Sequence, residues 1–271
     1  MESLSVAIIT RNEASNIRDC LESVAWADEI VVVDHFSEDG TADIARDFGA
    51  QVFQEPWHGF AAQKNIALER ARGPWILSLD ADERVSPPLR EEISAALGRN
   101  RVIQGYYISR RNFFRGKWIR HGGWFPDYTL RLFLKDAGKF QERDVHERVV
   151  VTGRAEHLKH HLDHYTYRSV SDYLLRMDRY SRLAARELQK RGMSFSWTSS
   201  TLRPLFTFLK MYVLKRGFMD GREGLFLATS YAYYTFLKYW RVLEDIERIG
   251  DPAEGEAPAG CFDNGTHDRS A

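Results

Sequence analysis

Apolar positions in the first hundred residues fall into two rhythms. Short β-branched runs, Leu4 to Thr10, Ile30 to Asp34, Gln51 to Gln54 and Trp75 to Leu79, read as strands. Between them, Asn16 to Val24, Thr41 to Phe48 and Ala61 to Arg72 carry helical spacing. The order βαβαβαβ predicts an α/β fold: a mostly parallel sheet, helices on both faces, and a ligand crevice at the carboxyl ends of the strands. From Gly105 to Val151 the pattern becomes mixed. Strand-like pieces, Tyr106 to Arg110, Thr129 to Leu134 and Val145 to Val151, surround the Gly-rich aromatic stretch Gly116 to Trp124, a half expected to cover the crevice mouth. Past Ser169 the spacing is helical, with Ser171 to Arg191, Leu202 to Lys215 and Leu225 to Ile249 as the elements. The organisation expected is an α/β domain over 1–168, divided near residue 100, a helical region over 169–249, and an acidic tail over 250–271 too polar to order. The uncharged stretch Gly224 to Leu237 is shorter than the roughly 20 residues that span a bilayer, so no transmembrane helix is expected.

Charge narrows the classes. Lys and Arg number 38 and so do Asp and Glu, which removes the bulk positive field of a nonspecific nucleic-acid binder. The neutral total is patterned: eight bases face one acid from Arg101 to Lys135, twelve face four from Tyr167 to Arg222, and eight acids face two bases from Glu244 to Ala271. Such basic blocks are either solvated helix faces or local contacts with phosphate groups or an anionic membrane. Cys20 and Cys261 are too few and too far apart for a disulfide scaffold or a Cys-based zinc site, so a reducing compartment is expected. Met1 to Thr10 enters a strand-like run with no basic segment or cleavage site, so no secretory signal is expected.

Candidate chemistry sits at strand ends. Asp80-Ala81-Asp82 follows directly on an apolar strand, and two carboxylates one residue apart can hold a hard divalent ion that also bridges diphosphate oxygens. A solvated turn gives the same letters. The first strand ends in Thr10-Arg11-Asn12-Glu13, and the second in Asp34 followed by Ser37-Glu38-Asp39-Gly40-Thr41. Neither the dinucleotide glycine pattern nor a P-loop occurs, so those phosphate cradles are excluded.

This ordered set resembles the family 2 glycosyltransferases of GT-A fold: Thr10, Asn12 and Glu13; Val31-Val32-Val33-Asp34 with its Asp39-Gly40-Thr41 turn; the Lys64-Asn65 helix; and Asp80-Ala81-Asp82. The motifs cover roughly the first 165 residues. The resemblance implies a nucleotide-sugar half over about 1–100 and an acceptor half over about 101–168. It implies that Thr10, Asn12, Glu13 and Asp34 line the nucleoside pocket, that Lys64 and Asn65 approach the nucleotide, that Asp80 contacts ribose or sugar, and that Asp82 carries Mg or Mn. Helix capping is the structural alternative for Thr10, Asn12 and Asp39.

An inverting transfer needs a carboxylate base, and Asp144-Val145-His146-Glu147 supplies Glu147 or Asp144, with Glu147 preferred on the resemblance. Many relatives carry an adjacent Glu-Asp pair there instead. Arg131 is a diphosphate or acceptor contact by the same token. His157, His160, His161 and His164 have helical zinc-face spacing, but their neighbours read as extended, which scatters them. The resemblance leaves His164 as a ligand of the Asp82 metal. The processive synthases' Gln-x-x-Arg-Trp motif is absent, which favours adding one sugar.

With Val145-His146-Glu147 and a basic, aromatic C-terminal helical region, the layout resembles the subgroup that adds a β-linked glucose to the lipopolysaccharide inner core. The resemblance implies a metal-dependent, inverting hexosyltransferase that moves glucose from UDP-glucose to a glycolipid acceptor in lipopolysaccharide core biosynthesis. Its place would be cytoplasmic, peripheral on the inner membrane face. Leu202, Leu205, Phe206, Leu209 and Val213, beside Arg203, Lys210, Lys215 and Arg216, would either pack or lie on anionic lipid. The rivals are a sugar-nucleotide pyrophosphorylase, whose Gly-rich activating loop is missing, and a noncatalytic nucleotide-sugar-binding or membrane-scaffold protein.

Overall fold

β-Branched residues crowd the helix but fit a pleated surface buried on both sides, and such runs open the chain. The computed structural model describes residues 2–98, 102–141, 148–193 and 197–243. Its strands are β1 (Leu4–Thr10), β2 (Glu29–Asp34), β3 (Gln51–Gln54), β4 (Trp75–Asp80), β5 (Glu83–Val85), β6 (Ile103–Phe114), β7 (Lys117–Trp118), β8 (Asp127–Leu134), β9 (Gly138–Gln141), β10 (Arg148–Val151) and β11 (Arg154–Tyr167). The helices are α1 (Ala14–Val24), α2 (Thr41–Asp47), α3 (Phe60–Arg70), α4 (Pro87–Leu97), α5 (Val170–Lys190), α6 (Trp197–Leu209) and α7 (Gly221–Trp240).

The chain divides into two units, one holding the residues up to Arg111 and Asp127–His164, the other Asn112–Pro126 and the described residues from Tyr165 on. Asn112–Pro126, from the middle of the mixed half, thus cluster with the C-terminal helices.

In the α/β unit the sheet runs β3-β2-β1-β4-β8-β6-β11-β5. β3, β2, β1 and β4 are parallel, and β8 joins antiparallel to β4 and to β6. Every residue of β1 and of β4 is buried, as central strands covered on two faces require. One apolar layer gathers Val6, Ile8, Leu21, Val32, Leu77 and Ile93; another gathers Ala7, Ile9, Val33, Leu68, Ile76 and Phe133. α4 and β5 are elements that the apolar spacing did not announce. α4 starts where Pro87 and Pro88 occupy the first helical positions, which need no N–H donor.

The helical unit has its own core of Phe114, Trp124, Tyr167, Tyr173, Met177, Met211 and Leu227. Ser169 caps α5 by accepting the Asp172 N–H at 3.0 Å. α6 carries Pro204 in its interior and runs on into a π turn over Lys210–Leu214. A 3-10 turn, Gly217–Asp220, then meets α7 so closely that a Cβ on Gly224 would lie 1.8 Å from the Gly217 carbonyl oxygen.

Candidate active site

Parallel strands end on one edge, so the carboxyl ends of β2, β1 and β4 lie side by side. Ile9 pairs with Asp80, and Thr10 with Asp34. Asp34, fully buried, accepts the Thr10 hydroxyl at 2.8 Å on Oδ1, the Ser37 N–H at 2.8 Å on Oδ2, and the Ser37 hydroxyl. Asn12 takes φ +54°, its N–H donates to Ser37 Oγ at 2.8 Å and its Oδ1 accepts the Glu38 N–H at 2.9 Å. The Glu13 N–H donates to Thr41 Oγ1 and the Ala14 N–H to Asp39 Oδ2, while the Glu13 carboxylate accepts from Asn16 Nδ2. The loop after β2 therefore satisfies the opening amides of α1, donors that a helix cannot pair internally. Asp39 also accepts the Thr41 N–H, so the capping expected of it is observed at two helix starts.

Charge is stored under β4 in a single row. Lys64 Nζ lies 3.0 Å from Asp80 Oδ1, and Arg131 NH2 bridges Asp80 Oδ2 at 2.5 Å and Glu83 Oε1 at 2.6 Å. Glu83 Oε1 is 3.6 Å from Arg110 NH1, whose other terminal nitrogen meets Asp127 at 2.6 Å. Three cations thus alternate with three carboxylates, and all six are buried. Buried charge is tolerated only in such pairing. Burial by itself would push the Asp80 carboxyl up; the Arg131 and Lys64 charges outweigh it and hold the group well below the carboxylate range. Arg131 is raised in turn, since Asp80 and Glu83 overcome its desolvation.

Asp82 stands outside that row. The β4–β5 turn carries it, and the antiparallel β5–β11 ladder, in which His164 is paired with Glu83, brings the imidazole alongside. His164 Nε2 lies 3.3 Å from Asp82 Oδ2, and Asp82 Oδ1 is buried with no hydrogen-bond partner among the described residues. Burial lowers the His164 pKa, but the Asp82 carboxylate wins and the net shift is upward. Among the described residues no group of three His, Cys, Asp or Glu side chains forms a complete metal cage.

The sequence-expected residues thus gather in three clusters: Thr10, Asn12, Glu13 and Asp34; Lys64, Asp80 and Arg131; and Asp82 with His164. Asn65 does something else: its amide donates to the Phe140 carbonyl at 2.9 Å and accepts the Phe140 N–H at 3.0 Å, bracketing β9. The remaining histidines scatter as an extended segment requires: His157 stacks on Tyr107, His160 pairs with Glu92, and His161 meets Ser109. Asp144 and Glu147 lie outside the described residues, as do Cys261 and the tail. Cys20 is a free, buried thiol, and burial pushes its pKa up. Glu83, Arg110 and Asp127 escaped the sequence reading. No local signal marks them: Glu83 opens the three-residue β5 beside Arg84, Arg110 adjoins Arg111 in β6, and Asp127 is the first residue of β8.

The profile of glycosyl transferase family 2 matches residues 5–153. The lipopolysaccharide core biosynthesis glycosyltransferase LpsC of Rhizobium meliloti (strain 1021) is 30% identical over 246 residues, covering 86% of this chain and 89% of that protein. An uncharacterized glycosyltransferase of Rickettsia felis (strain ATCC VR-1525 / URRWXCal2) is 30% identical over 261 residues, 91% of each. Among solved structures, the mannosyltransferase PcManGT from Pyrobaculum calidifontis, in complex with GDP-Man and Mn2+, aligns with a TM-score of 0.54 at 15% identity, over 90% of this chain and 88% of that one. That last likeness is one of fold, the GT-A architecture.

Proposed function

The chain belongs to glycosyl transferase family 2 and is a transferase, and from that premise we propose that it moves a single hexose, glucose from UDP-glucose, with inversion to a glycolipid acceptor of lipopolysaccharide core biosynthesis. The observation that carries the reading is the Asp82–His164 pair, an unsatisfied carboxylate oxygen buried beside an imidazole at the carboxyl end of β4. These two groups fit a divalent cation, Mg or Mn, for which a carboxylate oxygen is a suitable ligand. With no third protein ligand among the described residues, the donor diphosphate and water would complete its shell. When bound, the cation offsets the charge developing on the leaving diphosphate.

The chain's own residues do the rest. Lys64 and Arg131 hold Asp80 ionised, and the turn that carries Asp82 is closed by the Glu83 carboxylate, which accepts the Asp80 N–H at 3.1 Å, and by Arg84 NH1, which donates to the Ala81 carbonyl at 3.0 Å. With both oxygens facing cations inside the protein, Asp80 is a positioning residue in this reading, not the direct ribose or sugar contact expected from the resemblance. Arg131 acts with it from within the row, and Asn65 is a strut for β9. Thr10, Asn12, Glu13 and Asp34 form the nucleoside floor; an ionised carboxylate accepts about four hydrogen bonds, so Asp34 keeps capacity for a uracil or ribose donor. Glu147, or Asp144 in its place, takes the acceptor proton as the hydroxyl attacks the anomeric carbon.

The helical unit contributes a membrane contact. Leu202, Leu205, Phe206 and Leu209 are 62%, 57%, 58% and 44% exposed on α6. Packing among the described residues leaves them exposed, and with Arg203 and Lys210 they suit the interface of an anionic bilayer, where each basic residue adds about 1 kcal/mol. Among the described residues no helix is long and apolar enough to cross a membrane.

The test is UDP release from UDP-glucose, against other UDP-, GDP- and dTDP-sugars, with and without core-truncated lipopolysaccharide. Mass and NMR analysis of the product should show one β-linked glucose per acceptor. Binding of UDP-sugars without turnover of any of them would make the chain a noncatalytic binder, and serial additions would refute single transfer.

A further inference from the structure

The helical unit contains a pocket of about 380 Å³, within the size range of small-molecule sites. Arg203, Lys210, Lys215 and Lys238 line it together with Trp124 and Tyr234, and no Asp or Glu is among its described lining residues. Four cations lining one pocket favour the entry of an anion.

The wall is built rather than incidental. Arg203 NH1 donates to Tyr239 Oη at 3.0 Å, and its guanidinium lies 5.4 Å from that ring's centre. Lys238 Nζ is 5.7 Å from the centre of Tyr234 and 5.4 Å from that of Tyr239, within cation–π range. The rim is pinned from below: buried Asp220 accepts the His121 N–H at 2.8 Å, and the Gly122 N–H donates to the Lys215 carbonyl at 2.9 Å. Gly123 takes φ +90°, and a Cβ there would fall 2.6 Å from Lys215 Nζ, so the lysine lies against bare backbone.

Aromatic rings add a second selectivity, since a pyranose offers an apolar C–H face to a ring while its substituents reach polar groups. α6 adds a third, because the helix that gives Arg203 to the pocket, and runs on into the π turn that gives Lys210, leaves Leu202, Leu205 and Leu209 exposed. A ligand matching all three is anionic, carries a sugar ring, and is tethered to an apolar anchor.

We propose that this pocket binds the phosphorylated saccharide head of a membrane-anchored acceptor, its phosphate ester held by Arg203, Lys210 and Lys238 and its sugar ring against Tyr231 and Tyr234. This deepens the acceptor reading above and rests on it. Selection of the acceptor would then depend on a phosphate as well as on the hydroxyl that reacts.

The test is direct binding to the full chain, followed by calorimetry, with mannose 6-phosphate as the probe and mannose, inorganic phosphate, phosphatidylglycerol vesicles and UDP as comparators. Mannose 6-phosphate should bind at least tenfold more tightly than mannose or phosphate. In Lys210→Gln/Lys238→Gln that affinity should fall at least tenfold, while UDP binding and the circular dichroism melt stay as in the parent chain. Phosphate binding as tightly as the sugar phosphate would refute the saccharide part. Binding of the vesicles alone would assign the pocket to phospholipid, and loss of UDP affinity in the variant would assign it to the donor; either overturns the proposal, as does an unchanged affinity in the double variant. UDP-glucose turnover, measured separately, reports on the transfer reading alone.

Discussion

Removing Arg131 is the sharpest probe of the buried row. Its NH2 stands between Asp80 and Glu83, so Arg131→Met takes one cation from three and leaves three carboxylates to share Lys64 and Arg110. Breaking a buried pair by deleting one partner costs about 3–5 kcal/mol, chiefly because the remaining charge is stranded. In a domain of this size each kcal/mol lowers Tm by about 2–4 °C, so a fall of roughly 6–20 °C is expected. A cycle with Glu83→Gln separates charge from packing. The double variant restores the balance of two cations and two carboxylates, and should recover about 1–3 kcal/mol of the summed single costs. Urea unfolding of the four proteins at one pH gives the numbers. Additivity within about 0.5 kcal/mol would refute the claim that these groups form one coupled row, and a loss under about 1 kcal/mol in Arg131→Met would refute their burial as ions.

Other outcomes follow from the same geometry. Asp82→Asn should abolish divalent-ion-dependent turnover with the fold intact, and excess EDTA should silence the parent enzyme; activity surviving either treatment removes the cation from the reaction. Glu147→Gln should bind UDP-glucose normally and transfer at least about a hundredfold more slowly, with Asp144→Asn less affected, and the opposite ranking in single-turnover assays would reassign the base. Glu29, which receives the Arg72 N–H and side chain and the Ser5 hydroxyl, is lowered to about 2. A depressed carboxyl stabilises the fold above its unfolded pKa, so Glu29→Gln should cost on the order of 2 kcal/mol at pH 7 and the difference should vanish as pH falls from about 4.5 to 2. Acid titration of both stabilities checks it. Gly224→Ala forces apart the 3-10 turn and α7, and calorimetry should show a loss of about 1–3 kcal/mol, whereas Gly98→Ala, whose Cβ would meet only the Ala95 carbonyl oxygen at an ordinary contact distance of 3.7 Å, should show little.

Local pattern carried much of the fold. β1 and β3 stand at the boundaries their strand-like runs give, and β2 and β4 differ by one residue, because β-branched and aromatic side chains concentrate where the chain lies in the pleated sheet. α4 was hidden because Pro87-Pro88 reads as a break, although proline suits a first turn. β5 is three residues long and exists only because β11 pairs with it, a contact about eighty positions away that no local window contains. The site divides the same way. Asp80, Asp82, Asp34 and Thr10 were legible because strand ends collect ligand groups. The partners of Asp80 were not, since which charge neutralises which depends on sheet order, and β8 inserts itself next to β4 after 46 intervening residues.

The latch between the two loops beside the nucleoside floor bears on how this scaffold can be re-engineered. Asn12, Glu13 and Ala14 give their amides to Ser37, Thr41 and Asp39, and Asn12 takes an amide back from Glu38. Each loop is held in part by the other. A chimera that imports only the segment after β2 from a relative of different donor preference would unfasten the start of α1, and one that lengthens it by a residue would put three acceptors out of step. The transplantable module is therefore the whole stretch from Thr10 to Thr41, strand, helix and both loops together, and donor specificity should move between relatives in that block or not at all.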